Sequence, residues 1–244
     1  MDKITLNGVE VFPFSSENEL LAYVENFKGI LIAVNAEKIL NMTDELREII
    51  NANIGYCDGS AIVLAAKQMG VKECCRIAGC DLWLRIIEQY KEKKSFYLIG
   101  SKTETISATV EKLKREYPGI RIVGYRNGYF ADEAEQTALI DDIAEKKPDV
   151  VFVAMGSPRQ EFFMREMLKR HSALYQGLGG SFDVYSGNVK RAPQWWIDHN
   201  IEFIYRLLQQ PKRFNREIKK VRFAYWLAIH KFQHSAKQIS SCKK

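Results

Sequence analysis

A chain of 244 residues with 46 % hydrophobic content is long enough for one large domain, or a domain with an appendage, around a sizeable core. No apolar run reaches the roughly 18 residues of a membrane-spanning helix. The N-terminus, MDKITLNGVEVF, lacks the apolar stretch of a secretion signal, so a cytoplasmic location is expected. The net charge of +6 suits nucleic acid, an anionic membrane face or a phosphorylated substrate alike, so its placement matters more than its sum. Arg206, Lys212, Arg213, Arg216, Lys219, Lys220 and Arg222 crowd one late segment. The cysteines at 57, 74, 75, 80 and 242 are odd in number and irregular in spacing, which argues against a disulfide framework. No Cys-x-x-Cys pair marks a metal site among them, and reduced structural thiols are expected.

In chain order, Val9 to Phe14 reads as a strand and Ser16 to Phe27 as a short helix. Gly29 to Val34, GILIAV, has the continuous apolar run of a buried strand. A helical pattern follows through Ile39, Leu40, Leu46, Ile49 and Ile50. Asn35 sits at the junction, where an amide caps a helix or touches a ligand. Ile54 to Asp58 leads into the apolar helix AIVLAAKQMG, which places Asp58 at a second junction as either N-cap or site residue. Arg76 and Asp81 precede a helix over Leu82 to Tyr90; Asp81 reads as its N-cap and Arg76 as an anion holder. Ser95 to Gly100, Ile120 to Gly124, Asp149 to Ala154 and Ala173 to Leu178 read as further strands. Helical patterns over Ser101 to Tyr117, Asp132 to Lys146 and Phe162 to Arg170 alternate with them. That alternation predicts an α/β, Rossmann-like, mostly parallel sheet with helices on both faces.

Two loops carry the chemistry. GSPRQE at 156–161 exposes backbone N–H groups near a helix start, which suits a phosphate as well as an ordinary cap. Gln160 adds a donor and an acceptor. QGLGGSFDVYSGNVKRAPQWW at 176–196 follows a strand and is rich in Gly and polar groups, as ligand loops of α/β proteins are. Its GLGG lacks the helix and ribose-binding acid of a dinucleotide fingerprint. Beyond Trp196 the chain becomes basic, aromatic and amphipathic, with Pro211 as a break. This predicts a C-terminal helical appendage, residues 196–244, on a core of residues 1–195. It is read as packing on the core, meeting a second subunit or lying on an anionic bilayer. No recognition module for nucleic acid accompanies the charge.

Taken in order, these pieces resemble the bacterial WecG/TagA/CpsF glycosyltransferases. The match runs through Asn35-Ala36, CDGSAIV (57–63), RIAGCDL (76–82), YLIGS (97–101) and YPGIRIVGYRNGYF (117–130). It continues through PDVVFVAMGSPRQE (148–161), GLGGSFDVYSGNVKRAPQWW (177–196) and YRLLQQPKRFNR (205–216). The resemblance implies an inverting hexosyltransferase that moves a sugar from a UDP-sugar to a polyprenyl-diphosphate-linked sugar. N-acetylmannosamine onto undecaprenyl-diphosphate-linked N-acetylglucosamine is the first expectation, in teichoic acid or other cell-surface polysaccharide synthesis. Glucose and N-acetylmannosaminuronate are the alternative sugars, and a non-catalytic α/β interaction module is the alternative outside enzymes. No cofactor or metal is expected, and the sequence has no Asp-x-Asp. Partners are the UDP-sugar, the lipid-linked acceptor and the inner face of the cell membrane, with self-association allowed and nucleic acid not expected.

The resemblance also assigns residues. Asp58 matches the acid of the family's Asp-Gly motif and is the expected base. Asn35 and Arg76 are to hold acceptor or donor, and Gly156, Gln160, Gly179, Gly180, Asp183 and Arg191 the UDP-sugar. Arg206, Arg213 and Arg216 are to complete the active site from the appendage.

Overall fold

The computed structural model describes residues 2–193, 195, 196, 205 and 222–229. Its centre is a six-stranded sheet in the order β4-β3-β8-β7-β5-β6, with every pairing parallel. The strands are β3 (Gly29–Val34), β4 (Ile54–Cys57), β5 (Ser95–Gly100), β6 (Arg121–Arg126), β7 (Val150–Ala154) and β8 (Leu174–Gly177). β5, β7 and β8 are buried at every position. Parallel strands need both faces covered, so their sequences carry apolar residues without alternation.

Side chains nevertheless divide between two cores by strand parity. Ile30, Ile32, Val34, Val151 and Val153 join α3 (Asp44–Asn51), α4 (Ser60–Gln68), α7 (Glu133–Lys146) and α8 (Arg159–Arg170) on one face. Leu31, Phe96, Leu98 and Phe152 join α1 (Glu17–Val24), α5 (Gly79–Tyr90) and α6 (Thr103–Glu116) on the other.

Several local expectations are revised. The first strand is shorter than read: β2 (Val9–Val11) stops before Phe12 and pairs antiparallel with β1 (Ile4–Leu6). Asn7 and Gly8 turn the hairpin with φ of 52° and 78°, the two-residue turn that Asn-Gly favours. Phe12 then bridges Tyr56, its N–H donating to Gly55 O at 2.8 Å, so the hairpin closes over edge strand β4. The helical run after β3 is two helices, α2 (Ala36–Leu40) and α3. Thr43 starts the second by accepting from Leu46 N–H at 3.2 Å. The helix after Arg76 begins at Gly79 rather than Leu82, so Asp81 lies inside its first turn and Ala78 is the cap. GLGG does lead into a helix, the five-residue α9 (Ser181–Tyr185).

The appendage is described only in part. Residues 222–228 are helical, and Phe223 and Leu227 are buried in the core on the α4 face. Gln68 Nε2 donates to Leu227 O at 3.1 Å. Trp195 and Trp196 meet edge-on. The break at Pro211 lies outside the described residues, as do Arg206, Arg213 and Arg216.

Trp83 of α5 is fully buried and stands edge-on to Phe152 of β7 and to Phe182 and Tyr185 of α9, at 5.1 to 5.7 Å between ring centres. It therefore supports the helix that follows the glycine loop. Trp83→Ala is expected to cost about 3–5 kcal/mol, read as a lower urea midpoint at unchanged slope.

Candidate active site

All six strands end on one edge of the sheet, and a cleft of about 1130 Å³ opens there. Asn35 leaves β3, Asp58 leaves β4, Ser101 leaves β5, Gly156 follows β7 and Gly179 follows β8. Neighbouring chains turn to opposite faces at this point. β7 feeds α8 on one side, while β8 feeds α9 and β5 feeds α6 on the other. A crevice at such a reversal is where open parallel sheets bind ligands. Asn35, Asp58, Arg76 and Gly156 line it, and so do Gln160, Gly179, Gly180, Asp183 and Arg191. The nine predicted site residues within the described structure thus converge on one cavity.

Asp58 is held by its backbone and by its side chain. Its own N–H donates to Val34 O at 3.0 Å, which fixes it to the end of β3. Its Oδ1 accepts from the N–H of Gly79, the first residue of α5, at 2.8 Å. A Cβ on Gly79 would stand 2.9 Å from the Tyr56 hydroxyl, so this close approach requires glycine. Burial pushes the Asp58 carboxyl above the ordinary aspartate range. The Gly79 N–H, the Arg76 guanidinium, the Asn35 amide and the Lys38 ammonium pull the other way without prevailing. A carboxylate so raised is a stronger base, with its pKa closer to neutral operating pH.

Asn35 takes the capping role and also reaches Asp58. Its Oδ1 caps α2 by accepting Lys38 N–H at 3.0 Å, and its amide donates toward Asp58. Gln160 is 4 % exposed and is occupied within the protein. Its Oε1 accepts Gly179 N–H at 3.0 Å and its Nε2 donates to Glu161 Oε1 at 3.2 Å. It therefore shapes the turn that faces the cleft. Gly156 and Gly179 have φ of 80° and 60°, and a Cβ on either would meet nothing within 4 Å. These glycines serve the turn conformation, and both line the cleft. Asp183 is in the first turn of α9 and accepts from Ser101 Oγ at 3.1 Å. Arg191 pairs with Asp81 at 2.6 Å, with both side chains about 40 % exposed, so it sits at the cleft rim in a weak, solvent-screened pair.

Sequence reasoning missed the pair behind this wall. Lys38 Nζ lies 2.6 Å from Glu161 Oε1, with side chains 7 % and 1 % exposed. Both residues fall in the first turn of helices that leave the sheet's carboxyl edge, which is the signal that separates them from ordinary solvated helix charges.

A Rossmann-like parallel sheet with a glycine-turned cleft and an acid at its carboxyl edge defines the class of α/β ligand-binding enzymes. A sequence model of the glycosyl transferase WecG/TagA/CpsF family matches residues 4–237, and the chain belongs to that family. It is a sugar-transferring enzyme of cell-surface polysaccharide synthesis, using a nucleotide-sugar donor and a sugar acceptor. Among the described residues no helix is long and apolar enough to cross a membrane.

The raised pKa has a thermodynamic signature. Asp58 costs no stability below its unfolded pKa, and stability is lost as pH rises through the higher folded pKa. Asp58→Asn removes that loss. Its melting temperature should match wild type near pH 4, exceed it increasingly as pH rises, and then level off. Differential scanning fluorimetry across pH 4 to 8 reads the difference.

Proposed function

We propose that the enzyme transfers N-acetylmannosamine from UDP-N-acetylmannosamine to undecaprenyl-diphosphate-linked N-acetylglucosamine, with inversion and without a metal. The observation that carries this reading is Asp58, a basic carboxylate fixed in the cleft that the Gly156 and Gly179 turns also line. The acceptor hydroxyl attacks the anomeric carbon from the face opposite UDP. The new C–O bond forms as the bond to UDP breaks, which inverts the centre. Asp58 takes the hydroxyl proton as oxygen becomes nucleophilic.

Charge develops on the departing diphosphate. The backbone at Gly156 and the Arg191 guanidinium meet it, stabilising the transition state more than the ground state. Arg206, Arg213 and Arg216 add to this from the appendage. Asp183 contacts the nucleoside rather than the reacting atoms. Asn35 and Arg76 orient the sugars beside Asp58. The basic and aromatic late segment brings the protein to the anionic inner face of the membrane, where the lipid acceptor resides.

Purified protein incubated with UDP-N-acetylmannosamine and a short-chain lipid-diphosphate N-acetylglucosamine should yield the disaccharide, read by mass spectrometry. Asp58→Asn should lower the rate about 10²- to 10⁴-fold. An unchanged rate would remove Asp58 from the base role. A chain truncated after residue 195 should keep its α/β circular dichroism and lose most transfer. Normal turnover by that truncation would dismiss the late arginines.

A further inference from the structure

Lys38 lines the cleft although it is nearly buried, and its ammonium lies 2.6 Å from Glu161 Oε1. That oxygen also accepts from Gln160 Nε2, and Glu161 Oε2 is buried with no hydrogen-bond partner. A buried ion pair with an unsatisfied oxygen is a poor device for stability; an apolar pair of the same volume serves a core as well or better. Its position suggests a different use. The Lys38 charge reaches Asp58 on one side. On the other, Gln160 joins the pair to the Gly179 turn. The ammonium is thus coupled both to the carboxylate proposed to meet the acceptor and to the turn proposed to meet the donor, at the wall of the cleft that the proposed reaction gives to the transferred ring. It carries three N–H donors, and among the described residues Glu161 is its side-chain partner.

The charge balance there is specific. Glu161 cancels Lys38, and Glu37 and Asp58 line the same stretch of wall beside Arg76. A neutral sugar can accept charge-assisted hydrogen bonds from Lys38. A sugar bearing a carboxylate would bring a further negative charge to a cation already neutralised, beside Asp58. We propose that Lys38, anchored on Glu161, is a specificity-determining residue for the transferred sugar, donating to hydroxyl or acetamido oxygens of a neutral hexose and disfavouring a uronic acid. The assignment rests on the transfer reaction proposed above.

The test compares kcat/KM for UDP-N-acetylmannosamine and UDP-N-acetylmannosaminuronate in the full-length protein. Wild type should prefer the neutral donor. Glu161→Gln leaves Lys38 uncancelled and should shift the ratio about tenfold or more toward the uronate. Because that variant buries an unpaired charge, Lys38→Met with Glu161→Gln provides a neutral replacement of the whole pair. The double variant should fold, shown by its melting curve, and lose about tenfold in kcat/KM for the neutral donor. It should not show the shift toward the uronate. Wild-type transfer with an unmoved ratio in Glu161→Gln, or full neutral-donor efficiency in the double variant, would overturn the role of Lys38 alone. Wild-type protein that transfers neither sugar would overturn the transfer reading and the role of Lys38 with it.

Discussion

The direction of six strands determines where this protein can do chemistry. Since all run parallel, each one delivers the chain to the same edge. Every connection back must cross a face as a helix, because a parallel return is too long for a tight turn. The carboxyl edge therefore collects strand-to-helix junctions from residues far apart in sequence. Asn35 and Asp58 arrive from one half of the chain, Gly156 and Gly179 from the other. Burial of the strands on both faces makes this edge rigid, and the position of each junction follows from strand register rather than from loop chemistry.

Rigidity explains how a carboxylate can be kept in an unfavourable state. Asp58 is half-buried in the cleft, and the donors around it do not fully compensate for its partial desolvation. The sheet supports that cost because Asp58 is tied by its backbone to β3 and by its side chain to the start of α5. The arrangement also depends on a missing side chain, that of Gly79. Two positions twenty-one residues apart thus form one functional unit, one supplying the acid and the other the space for a backbone donor.

The legible parts of the sequence were those with a local signal. Strand runs such as GILIAV and VVFVA are apolar throughout because parallel strands are covered twice, and they placed the sheet. Residues just past strand ends, among them Asn35, Asp58, Gly156 and Gly179, were readable as site candidates, and they meet in the cleft with Arg76, Gln160, Gly180, Asp183 and Arg191. The unread parts depended on partners distant in sequence. β1 is three residues long and shows itself only through its pairing with β2, although Asn7-Gly8 held the turn signal. The break between α2 and α3 follows from Thr43 capping, which competes with a continuous apolar period. Gln160 has the chemistry of a ligand contact, yet its partners Gly179 and Glu161 hold it within the wall. Lys38 and Glu161 are 123 residues apart, and no local pattern reveals that the fold brings them together.

The N-terminal hairpin has a consequence for how copies of the protein meet. β4 is at the end of the sheet order and would otherwise offer a row of unpaired backbone groups. Phe12 occupies part of that row through its bond to Gly55. The opposite edge, β6, is kept irregular by the register shift against β5 and carries Arg121 and Arg126. Neither border is a clean template for another strand. The sheet is thereby protected from growing by strand pairing into that of a neighbouring molecule.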